Sequence, residues 1–319
     1  MLNGRPFVRP EVRDKVLAAS TALGYRPDVA ARSMRTGSTG AVGLVVSDIS
    51  NPLFASIARA ADHALSPRGY ALVVANSAND PEHEAELLAA LRQRRVDGVI
   101  LAAANEQAPG LADRIAAFPA AVLLDRDIPG CRVDRVLSDH ASGLSDALRH
   151  LAGLGHRRIA LIAGTVNVRG SRVRVETYRS EVAALDLDSD DELCRDGVLT
   201  EEEGYRALEE LLALADPPTA ILAGNNQIFA GLFAAIRDLG IDVPFGLSVI
   251  ACEETELTAL HNPPLDVVRR DVAELGSVAA ELLLARLEQP TRRRREVVLP
   301  AVFEARGSCA APSRRRVRA

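Results

Sequence analysis

Leu23 to Phe54 reads LGYRPDVAARSMRTGSTGAVGLVVSDISNPLF, and the order of its parts decides the fold. Arg26-Pro27 ends one helical segment, and Asp28 is placed to cap the next, Val29 to Arg35. Thr36 to Gly40 is a small polar hinge, and Ala41 to Val46 is an apolar run of buried-strand length. Asp48-Ile49-Ser50-Asn51-Pro52 predicts a loop at the carboxyl end of that strand, where open α/β sheets take ligands. A basic helical arm thus runs, without a long linker, into the first strand of a ligand-binding body.

From residue 40 onward, strand-like and helix-like segments alternate. Ala41–Val46, Ala71–Ala75, Gly98–Ala102 and Ala120–Leu124 read as parallel strands, near-continuously apolar and buried. Helices are expected between them at Pro52–Ser66, Pro81–Gln93 and Gly110–Ala117. The pattern restarts with helix Ala141–Leu154, strand Arg158–Ala163 and helix Ser171–Leu185. Helix Glu201–Leu214, strand Thr219–Ala223, helix Ile228–Leu239 and strand Leu247–Cys252 follow, then helix Asp271–Leu287 and a strand near Val297–Phe303. Such alternation predicts α/β architecture: two doubly wound parallel-sheet lobes with right-handed crossovers, facing a cleft.

At 319 residues, 48% hydrophobic and 25% charged, the chain suffices for two cores of ordinary globular composition. No apolar run reaches the roughly 18 residues of a membrane span, and MLNGRPFVRP has no signal-peptide core, so a cytoplasmic protein is expected. Cys131, Cys194, Cys252 and Cys309 are scattered, without a CxxC or a neighbouring His pair; they read as reduced thiols, with no metal site and no disulfide framework. His140 and His156 are expected at helix ends or on solvated surface. The net charge of −5 is uneven: residues 1–39 carry seven basic against three acidic groups, so the body is the acidic part. Only the small basic module is suited to face phosphates.

Catalytic patterns are missing. There is no GxSxG, no GxxxxGK[ST] and no GxGxxG in the first βα turn, and no cofactor is implied. Asp139-His140 and the carboxylates between 188 and 192 show no acid–base spacing that a solvated loop would not share. Binding groups do recur after the strands: Asn51, Leu53 and Phe54, then Asp125-Arg126, Asn225-Asn226-Gln227 and Glu253-Glu254, with Arg172 and Arg174 opening a helix. Carboxylates and amides bond hydroxyls directionally, and an aromatic face packs on a ring, the usual make-up of a small polar-ligand pocket.

These residues, from Leu23 to about Ser308, resemble the lactose-repressor (LacI/GalR) family of bacterial transcription regulators. The resemblance implies a periplasmic-binding-protein-like body whose chain crosses between lobes near 140, 270 and 299. It divides the chain into 1–39 (headpiece remnant with hinge helix), 40–139 with 271–298 (first lobe), 140–270 with 299–308 (second lobe) and a disordered basic tail, 309–319. Met1-Leu2-Asn3-Gly4 falls where the family's recognition helix would be ending. Family members commonly carry Val before Leu-Asn-Gly, so a valine codon read as initiator, and an assigned start that is too late, is the expectation.

The resemblance further implies an effector cleft lined by Asn51, Leu53, Phe54, Asp125, Arg126, Arg172, Asn225, Asn226, Glu253 and Arg270. Three positions depart from the family: Leu53 stands where an aromatic is common, Glu253 for Asp, and Arg270 for Gln. The cleft is then either more charged than a neutral-sugar site, or Glu253 and Arg270 pair. Arg26, Arg32, Ser33, Met34 and Arg35 would meet operator DNA, with Met34 as an apolar minor-groove wedge or as packing between hinge helices. The implied protein is a homodimeric transcription regulator, a repressor by resemblance, that senses a sugar or sugar derivative. The alternative is a binding module without DNA function, either a headless sensor or a periplasmic-type carrier.

Overall fold

The computed structural model describes residues 9–22 and 38–312. The expected hinge helix, with Arg26, Arg32, Ser33, Met34 and Arg35, lies outside the described residues, as does the basic cluster from Arg314 to Arg318. Helix α1 is Pro10–Ala22. The body then alternates β1 (Ala41–Val46), α2 (Pro52–Leu65), β2 (Ala71–Asn76), α3 (Pro81–Gln93), β3 (Gly98–Leu101), α4 (Leu111–Ala116), β4 (Ala121–Leu124) and β5 (Asp134–Asp139). The second set is α5 (His140–Gly153), β6 (Ile159–Ile162), α6 (Arg169–Ala184), β7 (Cys194–Arg195), α7 (Glu201–Leu212), β8 (Ala220–Ala223), α8 (Asn226–Asp238), β9 (Ser248–Ala251), α9 (Glu256–Leu260) and β10 (Asp266–Arg270). Helix α10 (Val272–Glu288) and β11 (Glu296–Glu304) close the chain.

Strand order is β2-β1-β3-β4-β5-β11-β10-β9-β8-β6-β7, and β11 joins the two lobes. Its residues Glu296–Pro300 run parallel to β5, whereas Ala301–Glu304 run antiparallel to β10. All other pairings are parallel. The chain leaves the first lobe after Asp139, since α5 buries Leu144, Leu148 and Leu151 among second-lobe residues such as Ile159 and Val175. It returns at α10, whose Leu275, Ala279 and Leu283 share a core with Ile57 and Leu65 of α2. Gly276 allows that approach: a Cβ there would sit 2.4 Å from the Ile57 carbonyl oxygen. Gly231 does the same for α8 against α7, where a Cβ would lie 1.8 Å from the Glu201 carbonyl oxygen.

Four differences from the sequence reading have physical causes. Strands β5 and β10 begin with Asp134 and Asp266, polar residues that hydropathy reads as loop. Both are buried and bonded: Asp134 takes Arg286, Arg292 and the Arg295 N–H, and Asp266 takes the N–H groups of Arg306, Gly307 and Ser308. Strand β2 was expected to be buried, but it is the sheet edge, with Val73 and Val74 exposed. Ser38 and Thr39, read as headpiece, are tied to the first lobe through Asp97. The tail read as disordered from 309 is packed through Ala310, whose carbonyl accepts from His156 Nε2 and Ser248 Oγ. His156 is accordingly buried rather than solvated.

Candidate ligand-binding cleft

Loops after β1, β2, β3 and β4 of one lobe and after β6, β8 and β9 of the other, with Arg270 at the end of β10, line a cleft of about 270 Å³. Their backbones are set by local capping. Asn51 caps α2 by accepting from Leu53 N, with Pro52 in the first turn, and Asn225 caps α8 by accepting from Ile228 N. Both side chains are thereby held at the carboxyl ends of their strands. Asp125 follows β4 with φ +51°, a left-handed conformation that Asp tolerates better than most residues.

Asp125 is the centre of the site. Its Oδ1 accepts from Ser138 N at 3.0 Å, and its Oδ2 meets His140 Nε2 at 2.8 Å and Arg270 Nη1 at 2.7 Å. Arg169 Nη1 lies 3.4 Å from Oδ1. Arg270 also donates from Nη2 to Glu253 Oε1 at 2.5 Å, and Arg174 Nη2 lies 3.4 Å from the same oxygen. Arg126 folds inward, donating from Nε to the Ala103 carbonyl at 2.6 Å. Burial alone would raise the Asp125 carboxyl, but His140, Arg270 and the Ser138 N–H hold it well below the usual carboxylate range. Burial pushes His140 down to about 4; Asp125 opposes the shift, and Arg174 and Arg270 add to it. The pair is therefore carboxylate and neutral imidazole at pH 7. His140 is the first residue of α5, the helix-end alternative of the sequence expectation, and it is buried there.

The structure brings Asn51, Leu53, Phe54, Asp125, Arg126, Asn225, Glu253 and Arg270 to this cleft. Phe54 also belongs to the first-lobe core. Two expected residues lie elsewhere. Asn226 lines the neighbouring cavity and donates to Asn51 Oδ1 at 3.0 Å, one bond across the lobes. Arg172 turns away from the cleft and donates to Glu106 Oε2 at 2.8 Å. Asp125 lies on the loop after β4, yet its side chain is only 10% exposed.

Sequence reasoning missed Glu106, five residues past the end of β3; a carboxylate in a loop beyond an apolar strand was the available signal. Its buried carboxylate accepts from the backbone N of Arg169 at 2.9 Å and of Asp127 at 3.0 Å, besides Arg172. With Glu106 N donating to the Asn167 carbonyl, it fastens the first lobe to the start of α6. Glu106→Gln keeps an acceptor oxygen but removes the charge facing Arg172. It should shift the lobes toward separation by about 1–2 kcal/mol. Small-angle scattering of the ligand-free protein should then give a larger radius of gyration; an unchanged radius would show that the contact does not hold the lobes.

Every cleft carboxylate thus has a cationic partner, and every cleft guanidinium an acceptor. Both carboxylates share Arg270, while Arg126 gives its N–H groups to the main-chain carbonyls of Ala103 and Asp125, so the cleft presents a dense set of hydrogen-bonding atoms, an arrangement suited to hydroxyl groups. None of it resembles a nucleophile–base pair.

Residues 148–309 match the model of the periplasmic binding protein-like domain. The catabolite control protein A of Priestia megaterium is 30% identical over 310 residues, covering 97% of this chain and 93% of that protein. The ribose operon repressor of Escherichia coli (strain K12) is 29% identical over 310 residues, covering 97% and 94%. Among solved structures, a LacI family transcriptional regulator from Enterococcus faecium with bound ribose superposes with a TM-score of 0.75 at 27% identity, covering 85% of this chain and 99% of that one.

Proposed function

The chain belongs to the LacI/GalR family of transcription regulators, and we propose that it reads a neutral, polyhydroxylated effector in the cleft around Asp125. It is a ligand-responsive regulator of the repressor type, not an enzyme. The observation that carries the effector class is the pairing of Arg270 with both Asp125 and Glu253. A guanidinium shared by two carboxylates has no charge to spare for a phosphate. The same pairing orients both carboxylates as acceptors for sugar hydroxyls, with Asn51 and Asn225 beside them. The ribose-bound relative supports a monosaccharide as guest. Arg172, engaged with Glu106, acts in this reading on lobe closure rather than on the ligand.

Closure would pull α6 and α8 toward the loops after β1 and β3 and change the spacing of the segments that precede β1. Those segments hold Arg26, Arg32, Ser33, Met34 and Arg35, which we assign to operator DNA. Two copies pair in this reading, supported by the exposed apolar residues Val73 and Val74 on the β2 edge and Leu257 and Leu260 on α9. A DNA partner places the protein in the cytoplasm; among the described residues no helix is long and apolar enough to cross a membrane.

Calorimetry with neutral pentoses and hexoses and their phosphorylated forms tests the effector class. Neutral sugars should bind better. Arg270→Gln frees Asp125 and Glu253 from their shared cation and should weaken every ligand alike, by about tenfold or more, since unpaired buried charge costs about 1–3 kcal/mol. Tighter binding of the phosphorylated series to the wild type would overturn the proposal.

A further inference from the structure

Away from the cleft, three side chains distant in sequence converge in the second lobe. His150 lies in the last turn of α5, Asp266 opens β10, and Cys309 follows β11. One ligand atom from each, an imidazole nitrogen, a carboxylate oxygen and a sulfur, lies within 4.8 Å of the others. His150 Nε2 stands 3.6 Å from Asp266 Oδ2.

The carboxylate is rigidly set. Asp266 is buried, and its Oδ1 accepts from the N–H groups of Arg306 at 2.8 Å, Gly307 at 2.7 Å and Ser308 at 3.0 Å. That leaves Oδ2 to the histidine and the thiol. The Phe303 ring packs on the imidazole with centroids 5.0 Å apart, which fixes its plane. Packing of the Ser308–Ala310 segment against β9, through Ser308 Oγ to the Val249 carbonyl at 2.6 Å, fixes the cysteine backbone. Cys309 packs on the second-lobe core with its sulfur 3.8 Å from the Val249 carbonyl, and the same sulfur faces the Asp266 carboxylate. Burial and Asp266 keep the Cys309 thiol protonated, well above its ordinary range.

We propose that His150, Asp266 and Cys309 form a binding site for a zinc-type divalent cation, with three protein ligands and a fourth position open to water. Tetrahedral zinc, with bonds of about 2.0 Å to nitrogen and oxygen and about 2.3 Å to sulfur, sets ligand atoms roughly 3.3–3.7 Å apart. Small side-chain rotations reach that spacing from the present one. Binding displaces the Cys309 proton to solvent, and thiolate, carboxylate and neutral imidazole leave the loaded site without net charge. The cation would tie the chain after β11 to α5 and β10, the two elements whose other ends bring His140 and Arg270 to Asp125.

Metal-stripped full chain, titrated with zinc against a chromophoric chelator, should bind one equivalent through these residues. Cobalt as a probe should give a thiolate-to-metal charge-transfer band. Cys309→Ala should abolish that band, and Cys309→Ala and His150→Ala should each weaken zinc by more than about 100-fold, beyond what loss of an outer-sphere contact causes. Both variants keep Asp266 and its backbone bonds, so circular dichroism should report an intact fold. Cys194→Ala, which leaves these three side chains untouched, should bind as the wild type does. The proposal is overturned if the wild type takes up no zinc equivalent, or if binding survives the paired substitution of Cys309 and His150.

Discussion

Asp125→Ala should lower the free energy of unfolding by about 3–5 kcal/mol, the range for removing one partner of a buried ion pair. The carboxylate contacts Arg270, His140, Arg169 and the Ser138 N–H from within a side chain that is 10% exposed. Its loss leaves a buried backbone donor without an acceptor and Arg270 with Glu253 as its one carboxylate, beside the Ser138 hydroxyl. Asp125→Asn should cost less, since an amide oxygen can still take the Ser138 N–H. Urea denaturation monitored by circular dichroism reads the difference, and an unchanged slope would assign it to the folded state. Effector binding should vanish in the alanine variant. A loss under about 1 kcal/mol would mean that the carboxylate is solvated and free.

Glu84→Gln should stabilise the protein at pH 8 by about 2–3 kcal/mol, with the gain gone by about pH 4.5. Glu84 is buried on α3; its Oε2 accepts from Ala104 N at 2.8 Å, and its Oε1 has no protein partner. Burial raises this carboxyl to about 7, against the opposing Ala104 N–H and Arg126. A carboxyl that titrates higher in the folded state adds stability that is present below its unfolded value and lost as pH rises through 7. Glutamine keeps the acceptor for Ala104 without the charge. His140 works in the other direction. With a folded value of about 4, its contribution is full above its ordinary 6.5 and is lost as pH falls through 4. Between about pH 4.5 and 6.5 the two oppose each other, so the wild-type profile should be flatter there than that of Glu84→Gln. Urea midpoints of both proteins from pH 4 to 8 test this; a difference independent of pH would show that Glu84 titrates normally.

The alternating lobes were legible in the sequence because burial on both faces of a parallel strand is written locally, as in Ala41–Val46 and Ile159–Ile162. Asn51, Asp125, Asn225 and Glu253 were legible as cleft residues for a related reason: a polar group just past an apolar strand sits at the strand's carboxyl end wherever that strand lies in the sheet. Tertiary structure decided what such local patterns do not carry. Strand order made β2 an edge and left Val73 and Val74 exposed. Buried Asp134 and Asp266 became strand residues because their partners come from far along the chain. The charge of the cleft was open between two sequence readings until Arg270 reached Asp125, 145 positions away, as well as Glu253. His150, Asp266 and Cys309, spread over three elements, share no spacing that a motif could record; only the packing of α5, β10 and the chain after β11 brings them together. Hydrophobic periodicity is a property of neighbours in sequence, whereas charge pairing and ligand sets depend on neighbours in space.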